Sequence, residues 1–541
     1  MAAAHLRRFA PARSSTRPIR HAVAAATAVL TTLIAGTTGC ALRPTGYRVN
    51  DHAVFVHPDG RALQGLDPAT AAGRGRPAGR PLGDTAYRAQ LRVLMDSIRA
   101  SPHDAILVFV HGGLVSHKGG YEHAEQLGPA MDSAGYYPVF LNWNASAGST
   151  LRSHLFRMRQ GEDDGPILGL LTAPFVIVAD LGRTVARAPL GWLHQSGDYC
   201  RTLTRRLKRE ANARLPGNQF CPIPGIDKFR RAERAKEERL VAEAQARVAL
   251  GPAAAGVPPD PLEIGLGDYN LTVGQTVARD LTGVVTFVPK LVVGPVVDGF
   301  GTGAWAEMRR RTQTMFRAPV ELQATPRAAR RYRQPTGAAY VLFDSLAALI
   351  AAQGADSVPP ARRRARRLVL VGHSMGVIAL NRVLQAFPAL PVDTIRYMAA
   401  AASVAEVEAA VVPFLERHPR TVFFHGMLHP YADAGEWQPK YLDVVPRGSL
   451  LEWIDDYLTA PETPLDRTAG KWPNLILAEH VFPAAVRDRV VLKAFGVRDT
   501  LDRGSRVFRR PARHGDFSDR RIAFWSDSAW ALARPAALWT R

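Results

Sequence analysis

The amino-acid sequence predicts an α/β fold with a mainly parallel central sheet, flanked by helices and interrupted by a large, mainly helical insertion. Three observations carry this. Apolar runs of strand length at 105–110 and 368–371 have the pattern of strands covered on both faces, and 137–143 reads as a further strand. Helical patterns separate them, as crossovers between parallel strands require. The alternation then stops between Asn144 and about Gln334, where long apolar and charged stretches take over.

Taken in order, residues 40–52 form a tether and Ala53-Val54-Phe55-Val56 a first strand. The stretch 65–83 is rich in Gly, Pro, Ala and Arg and predicts a loop. Leu91, Val93, Leu94 and Ile98 give 87–100 a helical period. The strand at 105–110 runs into His111-Gly112-Gly113-Leu114, a helix follows over 121–135, and Tyr137 to Trp143 is the next strand. These make residues 53–143 the first part of the sheet domain.

Residues 144–334 are the insertion. Residues 167–181 and 281–300 are apolar, but Asp180 interrupts one, Lys290 and Asp298 the other, which makes both poor membrane spans. Residues 228–249 form a charged helix. The second part of the sheet domain, 335–541, has a helix over 338–353 and the strand ending at Gly372. Strands at 394–400 and 421–424 bracket a helix over 404–417. A last strand is expected at 490–495, and a closing helix over 517–533.

The chain of 541 residues carries a formal charge of +21. The basic residues are scattered and no nucleic-acid motif accompanies them, so nucleic acid is not expected as a partner. Attraction to an anionic membrane surface, or simply an Arg-rich composition, fits better. Residues 1–39 have the layout of an export signal: Arg7, Arg8, Arg13, Arg17 and Arg20, then an apolar stretch 22–34, then small residues before Cys40. Leu33 to Cys40 resembles a bacterial lipoprotein signal, in which the cysteine receives lipid. The alternative is an ordinary secretory signal. Either places the mature chain outside the cytoplasm, and the first anchors it to the cell envelope membrane.

The chemical signal is Gly372-His373-Ser374-Met375-Gly376 between a buried strand and an apolar helix. A turn this tight needs glycines where a Cβ would block the backbone, and it lifts Ser374 to its crest. The Met375 amide, at the start of the helix, can donate to an oxyanion. The Gly pair after the 105–110 strand supplies a second donor, from Gly113 or Leu114. No metal-type Cys/His spacing occurs and no cofactor is implied.

With those two motifs the chain resembles the α/β-hydrolase superfamily, in particular its Ser-dependent esterases and lipases. The resemblance covers about 104–143 and 367–525. It implies a nucleophile, an acid and a base in that order along the chain. Ser374 is then the nucleophile. Asp433, in a loop after the 421–424 strand, matches the position of the acid, with Asp443 second. His514, in a polar loop before the closing helix, matches the base, with His480 second. Asp455 and Asp456 fit an amphipathic helix, and His111 and His373 support the loops rather than react.

The expected activity is hydrolysis of a carboxylic ester, the partner being an ester or lipid-like substrate. Other acyl-transfer chemistry on the same fold (peptidase, thioesterase, acyltransferase) or a non-catalytic envelope scaffold remain open. Cys200 and Cys221 flank a polar basic segment of the insertion in an exported chain, which predicts a disulfide between them. Such a bridge would stabilise by about 3 kcal/mol.

Overall fold

The computed structural model describes residues 46–65, 80–159, 162–163, 165–211, 287–318, 336–354, 366–428, 433, 436, 448–459, 461, 463–477, 481–495, 511 and 513–530. Among the described residues seven strands form the central sheet: β1 (Ala53–Val56), β2 (Ala105–Val110), β3 (Tyr136–Trp143), β6 (Arg367–His373), β7 (Val392–Met398), β8 (Val422–Leu428) and β9 (Val490–Phe495). Their order is β1-β3-β2-β6-β7-β8-β9, and every pairing is parallel. β4 (Met158–Arg159) and β5 (Glu162–Asp163) make a separate antiparallel pair.

The apolar runs become strands because both faces of this sheet are covered. Every residue of β2 is buried, and so is every residue of β6 after Arg367. Along one face lie α1 (Asp84–Ala100), α6 (Ala338–Gly354), α7 (Gly376–Ala386) and α8 (Val404–Arg417), each packed on the next. α8 starts at a capping box. Ser403 Oγ accepts from the Glu406 amide, and the Ser403 amide donates to the Glu406 carboxylate. α2 (His117–Ser133) packs on β3 and on the chain near residues 520–522.

The closing helix expected over 517–533 does not form over its described part, 517–530. Instead three short 3-10 turns, His514–Ser518, Arg520–Ile522 and Asp527–Ala529, follow one another. Ala523 takes a left-handed φ of 49°, and the Asp519 carboxylate accepts from the Arg521 amide at 2.8 Å, restarting the chain. The segment is held by side chains instead. Phe524 stacks on Phe109 with centroids 5.2 Å apart, and buried Arg396 of β7 donates to the Phe524 carbonyl at 3.1 Å.

The stretch expected as an insertion contains α3 (Ala147–Phe156), α4 (Gly165–Ala211) and α5 (Phe287–Thr314). α4 and α5 pack against each other. Gly299 of α5 makes that approach possible, since a Cβ there would meet Thr184 Oγ1 at 2.0 Å, and Gly303 does the same for α3, where a Cβ would meet His154 Nε2 at 2.2 Å. Arg183 and Arg187 of α4 converge on the buried carboxylate of Asp298. The charged stretch 228–249 lies outside the described residues.

The connection leaving β2 leads toward β3, whereas the one leaving β6 leads toward β7, on the other side of the sheet. The reversal falls between β2 and β6. In open parallel sheets the crevice beyond the strand ends at such a reversal is where ligands bind. Gly112-Gly113 and Ser374 stand at those two strand ends.

Candidate active site

Ser374 sits between β6 and α7 with φ of +52°, a conformation that a non-glycine residue rarely holds. Its own backbone bonds impose it. The Ser374 amide donates to Met398 O at 2.8 Å, and its carbonyl accepts from the amides of Val377 at 3.2 Å and Ala401 at 3.1 Å. Gly376 lets α7 start directly over β2, since a Cβ there would lie 2.1 Å from Val110 O. Strain held this firmly by its surroundings is a mark of functional positions.

The Ser374 side chain is buried, and its hydroxyl has no hydrogen-bond partner among the described residues. A buried hydroxyl without a partner costs about 1–3 kcal/mol and calls for an explanation. The loop after β2 closes over it. A Cβ on Gly112 would come within 2.9 Å of Ser374 Cβ, and one on Gly113 within 2.9 Å of Met375 Sδ.

That loop is held by His111, whose Nε2 accepts from the Trp143 amide at 3.1 Å. Nδ1 therefore carries the proton and donates to Gly112 O at 2.8 Å. Burial pulls the His111 pKa down to about 4, so the ring is neutral at pH 7. Because the peptide is trans and planar, fixing Gly112 O points the Gly113 amide the opposite way. Neither that amide nor the Met375 amide makes a backbone hydrogen bond among the described residues. Leu114 corrects the expectation. Its amide is spent on Ala145 O at 2.9 Å, while Ala145 donates to Val115 O at 2.8 Å, so Leu114 is no free donor.

His514 is buried with neither ring nitrogen partnered among the described residues. Its backbone is clamped on both sides. The amide donates to Glu436 Oε2 at 3.0 Å, and the carbonyl accepts from His373 Nε2 at 3.0 Å. The rings of His373 and His514 lie 5.2 Å apart. Burial, aided by His373, holds the His514 pKa well below the usual imidazole value. Burial likewise brings His373 down to about 4. His514 is thus a neutral imidazole at pH 7, the state a general base needs.

Asp433 follows β8 and is buried rather than solvated. Its carbonyl accepts from the amides of Ser449 at 3.0 Å and Glu436 at 3.3 Å, and one carboxylate oxygen is unpartnered among the described residues. Burial pushes its pKa up to about 8, with Glu452 adding to the rise and Lys471 opposing it. The structure does not join Asp433 to the His514 ring by a hydrogen bond. The carboxylate that reaches His514 is that of Glu436, at the backbone amide, and burial raises its pKa to about 7.

Asp455 is part of a buried network rather than of a water-facing helix surface. Its carboxylate accepts from the Thr468 amide at 2.9 Å and Asn474 Nδ2 at 2.8 Å, with Lys471 Nζ at 3.6 Å. Lys471 also donates to Glu452 at 2.7 Å. Sequence reasoning missed this network and the Glu436 contact. The only local signal was that Glu436 lies three positions after Asp433.

Cys40, Cys221, Asp443 and His480 lie outside the described residues; Cys200 falls on α4. Among the described residues no group of three or more His, Cys, Asp or Glu could hold a metal ion. No family model, no curated protein and no solved structure matches the chain.

Proposed function

We propose that the chain is a serine hydrolase of carboxylic esters. One observation carries the reading: a strained, buried and unpartnered serine hydroxyl at the carboxyl end of the sheet's middle strand, beside two amides without backbone partners among the described residues. The order along the sheet supports it. Ser374 follows β6, Asp433 follows β8 and His514 follows β9, so the resembled superfamily's three roles fall at the same ends of parallel strands.

Ser374 Oγ attacks the ester carbonyl as His514 takes its proton, and the carbonyl oxygen becomes an oxyanion facing the Met375 and Gly113 amides. Each such donor contributes on the order of 3 kcal/mol. Collapse breaks the ester C–O bond, with His514 returning the proton to the departing alcohol. Water, deprotonated by His514, then releases the acid and restores Ser374. Asp433 orients the imidazole, and Glu436 and His373 hold the loop that carries it. Hydrogen bonds between catalytic groups often tighten only when substrate is bound, and the Ser374–His514–Asp433 chain closes at that stage.

Export and a lipid on Cys40 would place this activity at the envelope membrane. The test is hydrolysis of a graded series of esters, thioesters and peptides by the purified chain. Ser374→Ala should remove all turnover of the best substrate, and undiminished turnover would rule the assignment out.

A further inference from the structure

α4 turns its apolar side outward. Among the described residues twelve large apolar side chains are exposed; nine are on α4, and the other three are Val93, Leu114 and Leu465. Ile167, Leu170, Leu171, Phe175, Val178 and Val185 are each 63–78% exposed. Every exposed residue between Pro166 and Pro189 is apolar or glycine.

The charged residues of the same stretch point inward. Asp180 is buried and accepts from His154 Nε2 at 2.9 Å. Arg183 and Arg187 donate to Asp298 of α5 at 3.1 and 2.6 Å. A helix facing water has the reverse arrangement. Asp180 therefore does not interrupt the outer face, whatever it does to the linear sequence.

We propose that this outer face docks into the acyl region of an anionic lipid bilayer. The segment Gly165–Pro189 is 25 residues long and apolar enough by length and composition to cross a membrane, with only 17% of its apolar 18-residue window buried. At 1.5 Å per residue it extends about 37 Å. A protein partner of that extent would look for a hydrogen bond every 100–200 Å² or so. The exposed side chains between Pro166 and Pro189 offer no group that could make one, and hydrocarbon asks for none.

Charge complements the choice of lipid. The chain carries +21, and Arg201, Arg205, Arg206, Lys208 and Arg209 follow the apolar stretch before α4 ends. α5, with Asp298 and its two arginine partners, covers the inner side of α4, so the helix lies in the plane of the interface with only its outer face in the acyl chains. The inference depends neither on Ser374 chemistry nor on lipid at Cys40.

The test uses the full chain with Cys40, Cys200 and Cys221 changed to Ser. A single cysteine, Phe175→Cys or, as a control, Val93→Cys, carries an environment-sensitive fluorophore. Vesicles of phosphatidylglycerol and phosphatidylcholine should shift the position-175 signal to the blue. Spin labels on the acyl chains should quench it at least twofold, and the position-93 signal should not change.

A position-175 label that stays in water beside vesicles overturns the proposal. So does one already shielded without lipid; if dilution exposes it, a second copy covers the face, and if not, another part of the chain does. As a second measurement, with Cys200 and Cys221 intact and Cys40→Ser, Leu171→Glu/Phe175→Glu should cut vesicle co-flotation about tenfold. Unchanged flotation would equally count against bilayer docking.

Discussion

His373 donates from Nε2 to the carbonyl oxygen of His514 at 3.0 Å, tying the residue before the candidate nucleophile to the candidate base. With the Glu436 contact at the amide, both peptide groups of His514 are anchored. The imidazole is positioned through its backbone, and neither ring nitrogen has a hydrogen-bond partner among the described residues.

His373→Ala should therefore lower kcat by about 10²-fold, the scale on which a misplacement of about 1 Å acts. His373→Asn, which keeps a donor, should recover part of the loss. Steady-state kinetics with the best ester checks both; equal effects from the two variants would mean that the carbonyl bond does not position the base.

The site carboxyls set the pH dependence. Asp433 is raised to about 8 and Glu436 to about 7, first of all by burial, while burial keeps His514 below its usual range. An orienting carboxylate must be ionised, so kcat/KM should climb between pH 6 and 9 and level off above. Asp433→Asn should cost roughly 10⁴-fold in kcat. Glu436→Gln, which still accepts from the His514 amide, should cost far less. If the two outcomes are reversed, Glu436 takes the orienting role.

The same shifts act on stability with a definite sign. A carboxyl whose pKa is raised on folding contributes stability that is present below its unfolded value and lost as pH rises through the folded one. Between pH 6.5 and about 7.5 the buried imidazoles, still partly protonated when unfolded, offset the two carboxyls, and above about 7.5 they are neutral in both states and add little slope. Thermal scans should thus show Tm falling from about pH 7.5 to 9, and Asp433→Asn should flatten that fall. On the acid side the order is opposite. His111, His117 and His373 are held near 4 by burial and outnumber the two raised carboxyls, so stability should drop as pH falls from 6.5 through 4.

Gly376→Ala should be among the most damaging small substitutions in the chain. Its methyl would lie 2.1 Å from Val110 O and 2.8 Å from His111 O, backbone atoms that cannot swing aside. A loss of at least about 3 kcal/mol is expected, at the upper end for single substitutions, and denaturant melts would measure it. Ser374→Ala, by contrast, removes a buried hydroxyl without a partner among the described residues and should leave Tm unchanged or higher.

Much of the fold was legible because buried parallel strands announce themselves as unbroken apolar runs: 105–110 became a strand with no change of bounds. Ser374 was legible for a similar reason, since strand, glycine turn and helix are contiguous. What failed was set by distant contacts. The amide of Leu114 is spent on Ala145, well along the chain beyond β3. The aromatic residues after 517 anchor to Arg396 and Phe109, and the left-handed Ala523 breaks what looked like one helix. The inward turn of Asp180 depends on His154 and on the packing of α5, neither of which a linear hydropathy pattern records.

The hydrolase assignment rests on activation of one hydroxyl, and covalent labelling tests that most directly. A fluorophosphonate reacts with an activated serine and not with an ordinary one. After brief exposure of the folded chain at pH 8.5, peptide mass spectrometry should find the phosphonyl group on Ser374, with the adduct lost in Ser374→Ala and strongly slowed in His514→Ala. A folded chain that takes up no label at Ser374, or takes it up equally fast without the His514 imidazole, would contradict the assignment.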